Sequence, residues 1–393
     1  MRHLLFLLLS LVPPIAKAQN PRVHAYYYLW YGNPGTDGRY LHWDHEVLPH
    51  WNPATRARHP HGAATRHDAA TGVIHAPYYP ALGTYSSSDP ATLDAHVQEL
   101  RKAGVGTAVL SWWGQASREG TSDTQGVQTD VVIDKVVSAI ERGGIHFAVH
   151  MEPYPGRTHT SVQEDVEYLV ERFGASDAWL RIDGRRVFYV YDSYHIEATD
   201  WHGLLGAQAR AAVPAIRDGF FIALWLNSDG GDLASRGGFD GVYTYFASDG
   251  FVYGSSTRNW KQMREFCEEK GLLFVPSVGP GYNDEGIRPW NAHNTKSREG
   301  GAYYDRMWQA ALNSGAEYVS ITSYNEWGEG TQIESAAARG AAPNSEKKAY
   351  LEYAAGRADQ YVDATRKWVD VLDAKSSSRR SSSVSGITSD GDL

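Results

Sequence analysis

Eight short apolar runs recur along this chain, and most are followed by a segment with helical periodicity. The runs cover residues 23–29, 107–112, 145–150, 186–191, 220–225, 241–246, 272–278 and 318–322. Strand and helix alternating eight times predict a (β/α)8 TIM barrel with long βα loops, because parallel neighbours need crossover helices. The helical segments have readable ends. Asp89-Pro90 supplies an N-cap and a first-turn proline, Leu93, Val97 and Leu100 an apolar stripe, and Gly104 a stop. Others are expected to stop at Gly143-Gly144, Gly174, Gly271 and Gly315, residues that tolerate positive φ. A chain of 393 residues fits one such barrel as a single domain.

In this fold the chemistry sits where strands end. Here the ends are polar or aromatic at seven exits: Tyr28, Trp30 and Tyr31; Trp112 and Trp113; His150 and Glu152; Tyr191 and Asp192; Trp225 and Asn227; Tyr243 and Tyr245; Asn325, Glu326 and Glu329. The last exit is the richest. Ser323-Tyr324-Asn325-Glu326-Trp327-Gly328-Glu329-Gly330 delivers two carboxylates three positions apart. Glycosidic cleavage commonly uses such a pair, one group to protonate the leaving oxygen and one to take a proton or attack. An acidic solvated turn is the plain alternative, and the position at a strand exit weighs against it. Asn325 is a candidate donor to a sugar hydroxyl. Trp327 is placed to shield the pair and raise one carboxyl pKa by desolvation. In His150-Met151-Glu152-Pro153-Tyr154, Glu152 and His150 either satisfy each other or bond a sugar. Arg288-Pro289-Trp290-Asn291 offers a fixed guanidinium and an indole, the arginine able to hold a catalytic carboxylate in place.

Composition narrows the alternatives. A net charge of −9 argues against a nucleic-acid surface. Thirteen Trp and 24 Tyr suit sugar rings, which present C–H patches beside hydroxyls. The single cysteine, Cys267, shares a helical face with Trp260 and Met263 and reads as a buried structural thiol. His42, His45, His50, His59, His61, His67 and His75 match no zinc spacing, so surface or loop-packing roles and no metal are expected. Neither Gly-x-Ser-x-Gly nor a phosphate-binding glycine loop occurs.

Three regions lie outside the alternation. Residues 1–18 read as a signal peptide, with Arg2, an apolar run from Leu4 to Val12 and Ala16-Lys17-Ala18 before the cut, so export is expected. The exported protein would then be periplasmic or secreted, with a Golgi lumen as the alternative, and hold no stable membrane insertion. Residues 32–85 form a long insertion read as an ordered flap over the barrel mouth. From about Ser376 to 393 the chain has too little apolar content to pack and is expected to be disordered, leaving residues 19–375 as the barrel domain.

Taken together, Tyr27-Tyr28-Leu29-Trp30-Tyr31-Gly32-Asn33, Leu82-Gly83-Thr84-Tyr85-Ser86-Ser87, Phe188-Tyr189-Val190-Tyr191-Asp192-Ser193-Tyr194, Tyr243-Thr244-Tyr245-Phe246-Ala247 and Asn325-Glu326-Trp327 carry a family resemblance. With His150 to Tyr154, Arg288 to Asn291 and Glu329-Gly330-Thr331-Gln332-Ile333-Glu334, the chain resembles the endo-α-1,2-mannosidases of glycoside hydrolase family 99 from about residue 23 to 372. The resemblance implies a retaining hydrolase that cuts inside an α-mannoside chain without cofactor or metal. It implies Glu326 as base on the substrate's 2-hydroxyl, a 1,2-anhydro sugar intermediate, and Glu329 as acid and then base. Tyr245, Arg288 and Asn325 match the cleaved sugar's subsite, with Tyr31, His150, Glu152, Tyr154 and Trp290 as further binding candidates. Trp113 follows Ser-Trp as in bacterial members, where the animal Golgi enzymes have Tyr. That implies preference for a terminal mannose, as in α-mannan or high-mannose oligosaccharide, over glucosylated N-glycan. Two other readings share these residues: a mannan-binding barrel without turnover, and a transglycosylase. A monomer is expected.

Overall fold

The computed structural model describes residues 19–50, 66–339, 349–354 and 356–385. Among them, eight parallel strands form a ring, and each is followed by a helix. They are β1 (Asn20–Tyr27), β2 (Val105–Trp112), β3 (His146–Met151), β4 (Arg185–Val190), β5 (Gly219–Leu224), β6 (Gly241–Tyr243), β7 in two pieces (Leu273–Val275 and Ser277–Val278) and β8 (Val319–Ile321). Neighbours pair in chain order from β1 to β6 and on to the first piece of β7. The second piece of β7 pairs with β8, and β8 pairs with β1, which closes the circle. Pro276 divides β7, since it has no N–H to give a ladder. Its carbonyl still accepts from the Ser320 amide at 3.0 Å.

The outer helices are α1 (Pro90–Ala103), α2 (Ile133–Gly143), α3 (His159–Phe173), α4 (Ala198–Leu205), α5 (Gly230–Gly237), α6 (Trp260–Lys270), α7 (Ala302–Ser314) and α8 (Gln360–Ser385). The start of α1 follows its sequence signals: Asp89 accepts from the Ala91 and Thr92 amides, and Gly104 stops the helix at φ 77°. Cys267 is fully buried on α6 with Trp260 and Met263, and burial pushes its thiol up to about 12. Strand β6 ends before the apolar run 241–246 does, because Tyr245 takes a left-handed φ of 53° and the chain leaves the ladder.

Period-two alternation sorts β1 into two faces. Tyr27 points outward, its hydroxyl pairing with His96 of α1 at 2.7 Å. His24, Tyr26 and Tyr28 point inward and climb the barrel axis. His24 pairs with Tyr189 at 2.6 Å, Tyr26 packs on Tyr243 at 5.8 Å, and Tyr28 reaches the Tyr245 hydroxyl. The column ends at the open mouth.

The disordered tail expected from Ser376 is corrected in part. Helix α8 runs on to Ser385. Serine hydroxyls there satisfy carbonyls one turn back, Ser376 to Leu372 at 2.9 Å and Ser378 to Ala374 at 2.7 Å. The helix is anchored earlier, where Trp368 stacks on Trp308 and Thr365 meets the Tyr304 hydroxyl. Residues 386–393 lie outside the described residues, as do the signal-peptide segment 1–18 and residues 51–65 with His59 and His61. Among the described residues no helix is long and apolar enough to cross a membrane.

Candidate active site

The barrel mouth holds a cleft of about 150 Å³ lined by residues from seven loops or strand ends. Tyr28 and Trp30 follow β1, Trp113 β2, Glu152 and Pro153 β3, Tyr191 β4, Tyr245 β6, Ile287 and Arg288 β7, and Glu326 and Glu329 β8. The insertion contributes His42 and His45 and the β2 loop Thr124. Exit β5 is absent from the wall, because Trp225 is buried against Phe266 at 5.3 Å.

The two carboxylates are held by different means. Glu326 is buried in a tight turn: its amide donates to Ser323 Oγ at 2.7 Å, and its Oε1 accepts from the Gly328 amide at 3.0 Å. Among the described residues its Oε2 finds no hydrogen-bond partner. Burial first, and then the charge of Glu329, push the Glu326 carboxyl well above the ordinary carboxylate range. Glu329 accepts from Arg288 at 3.1 Å, and the same guanidinium nitrogen donates to Asp284 at 3.2 Å. Asp284 is fully buried and also accepts from the Tyr282 hydroxyl at 2.8 Å and the Asn291 amide at 2.9 Å. Burial raises Glu329 as well, with Arg288 pulling the other way. Burial thus favours the protonated form of both carboxyls, while the Arg288 contact favours the charged form of Glu329.

Below this turn sits a second buried acid, Glu334. It accepts from the Trp327 indole and the Tyr85 hydroxyl, each at 2.8 Å, and lies 3.2 Å from His96. On the far side, Arg298 donates to the carbonyls of Gly330 at 2.9 Å and Gln332 at 2.8 Å. Its guanidinium lies over the rings of Tyr78, Tyr353 and Tyr361 at 4.4, 4.9 and 4.4 Å. No carboxylate pairs with it among the described residues.

Of the sequence candidates, Glu326, Glu329, Trp113, Glu152, Tyr245 and Arg288 share the cleft wall. Five stand behind it. Asn325 is fully buried, and its side-chain amide spans the Tyr28 backbone, accepting from N at 2.7 Å and donating to O at 3.0 Å. It thus splices β8 to β1, which commits its donor away from a sugar. Tyr31 donates to the Asn325 carbonyl at 2.9 Å and accepts from the Trp327 amide at 3.1 Å. His150 bridges Glu152 at 2.9 Å and the Tyr243 hydroxyl at 2.8 Å, the mutual satisfaction weighed from sequence. Tyr154 turns outward to Ser161, Arg118 and Asp165. Trp290 donates to the Leu48 carbonyl at 3.0 Å and packs on His50. These side chains find backbone or side-chain partners nearer than the cleft.

The wall also holds residues that sequence reasoning left out of the site. Tyr28, Trp30 and Tyr191 stand at the strand exits already singled out, so that signal alone finds them. His42 and His45, expected from sequence to have surface or loop-packing roles, stand there too. His42 stacks on Trp30 at 4.0 Å and pairs with Asp123, while burial and then His42 lower His45 to about 3. His45 is therefore a neutral polar wall. Among the described residues no group of three His, Cys, Asp or Glu is assembled to hold a metal.

A closed βα barrel with a buried carboxylate pair and an aromatic-rich mouth defines a glycoside hydrolase. The sequence profile of Glycosyl hydrolase family 99 matches residues 18–374, and the chain belongs to that family. A glycoprotein endo-alpha-1,2-mannosidase-like protein of Danio rerio is 41% identical over 356 residues, covering 88% of this chain and 77% of its own. A glycoprotein endo-alpha-1,2-mannosidase of Mus musculus is 40% identical, covering 91% and 75%. Among solved structures, the GH99 endo-alpha-mannosidase from Bacteroides thetaiotaomicron matches with a TM-score of 0.80 at 36% identity, covering 90% of this chain and 98% of that one.

Proposed function

We propose that this chain is an endo-acting α-mannosidase that cuts internal α-1,2-mannosidic bonds of mannan or high-mannose glycans with net retention. The observation that carries the reading is Glu326 and Glu329 on one cleft wall, with an unpartnered Oε2 on the first and an arginine on the second.

Glu326 takes the proton of the substrate's 2-hydroxyl. The freed O2 attacks C1 as the bond from C1 to the leaving oxygen breaks, and Glu329 protonates that oxygen. A 1,2-anhydro sugar results. Glu329 then takes a proton from water, the water oxygen attacks C1, the C1–O2 bond opens, and O2 recovers its proton from Glu326. Two inversions at C1 give retention without a protein nucleophile, so the carboxylate separation expected for a glycosyl-enzyme route does not apply. The first step needs Glu326 ionised and Glu329 protonated. A 2-hydroxyl donating to Glu326 favours its charged form, and the proton then belongs on Glu329.

The assignment is tested with aryl α-mannosides whose leaving groups differ in acidity. Glu329→Gln is expected to lose about 10²–10⁴-fold in kcat on mannan and, with a strongly acidic phenol, to recover most of the phenol-release step as a burst, because its later base step stays impaired. Glu326→Gln is expected to recover nothing. Recovery by Glu326→Gln alone would reverse the roles, and equally negligible turnover in the unaltered protein and both variants would leave a mannan-binding barrel.

Trp113 on the wall supports a terminal mannose next to the cleaved residue. Comparison of Man-α-1,3-Man and Glc-α-1,3-Man donors is expected to favour the mannosyl donor, and Trp113→Tyr to narrow the difference.

A further inference from the structure

Few large apolar side chains are exposed among the described residues, and one of them, Phe251, stands at the end of a line of rings that begins inside the cleft. Tyr245 and Tyr191 on the wall lie 4.8 Å apart edge to face. Phe246 packs on Tyr245 at 5.3 Å, and Phe251 on Phe246 at 5.3 Å. Phe251 is 39% exposed, as is Tyr194, three residues beyond Tyr191.

The loop that presents Phe251 is tightly bonded. The Phe251 amide donates to the Ser248 carbonyl at 3.1 Å, Ser255 Oγ donates to the same carbonyl at 3.0 Å, and Ser256 Oγ donates to the Val252 carbonyl at 2.7 Å. Asp249 caps the far end by accepting from the Thr257 amide at 2.8 Å, and its own amide donates to the Tyr303 hydroxyl at 2.8 Å. A phenyl ring kept in water on so fixed a loop is preorganised to receive a flat apolar face.

Position fixes the occupant. In a ring of eight strands, the loop after β6 lies opposite the loop after β2, which carries Trp113. The rings from Tyr245 to Phe251 therefore leave the cleft on the side away from Trp113. We infer that Phe251, with Tyr194 on the loop after β4, is a stacking platform for further sugar units of the same α-mannoside chain, on the opposite side of the scissile bond from Trp113. The inference rests on the endo-acting reading, because only a chain continuing past both sides of the cut reaches the platform.

Phe251→Ala, Tyr194→Ala and Phe251→Trp are compared with the unaltered protein on yeast mannan and on a mannose trisaccharide too short to leave the cleft. Retardation in a native gel containing mannan is read in parallel. Phe251→Ala is expected to raise KM on mannan about three- to tenfold at unchanged kcat, to weaken retardation, and to leave the trisaccharide unaffected. Tyr194→Ala follows in the same direction, and Phe251→Trp restores both readouts. Equal kinetics and retardation for all variants overturn the platform, as does an equal loss on both substrates. So does a self-association lost in Phe251→Ala with mannan kinetics unchanged. Retardation that depends on Phe251 in a protein without mannan turnover would sink the hydrolase reading and keep the platform.

Discussion

At the scale of single residues, Glu326 shows what the cleft costs the fold. Its carboxyl is raised well above the unfolded value of 4.5 by burial and by Glu329. A group raised in this way supports the folded state below its unfolded pKa, and that support is lost as pH rises through the folded value. At neutral pH the charged side chain therefore weighs against folding. Glu326→Gln is expected to melt at a higher temperature than the unaltered protein at pH 7 to 8, with the gain fading at about pH 4. Thermal denaturation at both ends of that range checks the sign, and a variant less stable at pH 8 than its parent would contradict it. That Glu326 and Glu329 would face the barrel mouth was legible in the sequence, because the segment carrying them follows a short apolar strand run. The duty of Asn325 was not, since its partner is the Tyr28 backbone, 297 positions away. Sequence spacing carries no record of such a contact.

At the scale of elements, the turn after β8 depends on one glycine. Gly330 has φ 61°, and a Cβ there would stand 2.8 Å from Pro77 and 3.0 Å from the Asn283 carbonyl. The Asn283 contact belongs to a loop bonded to Glu329, whose carbonyl accepts from the Asn283 amide at 2.7 Å. Gly330→Ala is expected to cost about 1–3 kcal/mol of stability and to lower kcat on small aryl mannosides by displacing Glu329. Urea denaturation and single-substrate kinetics measure the two effects separately, and full activity in the variant would show that the turn tolerates the shift. Strands and helix starts were readable because alternation and caps act over a few residues, as at Asp89 and Pro90. The end of β6 and the run of α8 past Ser376 were not. The first turns on a left-handed Tyr245, the second on hydroxyls bonding back to carbonyls, and neither changes the apolar pattern.

At the scale of the whole molecule, the last firmly packed positions are Trp368, Val369 and Leu372, all buried against the barrel side. Ending the chain after Lys375 is expected to leave the melting temperature within about 2 °C and the mannan kinetics unchanged, because no buried side chain is described beyond that point. A large loss of stability would mean that the final turns of α8 bear on the barrel.

Arg298 decides what holds the distant parts together. Its guanidinium joins the insertion through Tyr78, the C-terminal stretch through Tyr353 and Tyr361, and the acid-bearing turn through two carbonyls. Those partners are aromatic faces and amide oxygens, which do not let go of a cation when acids are neutralised. As carboxylate bridges elsewhere on the surface slacken in acid or in salt, this seam stays shut, so the acid-bearing turn keeps its footing after the rim has loosened.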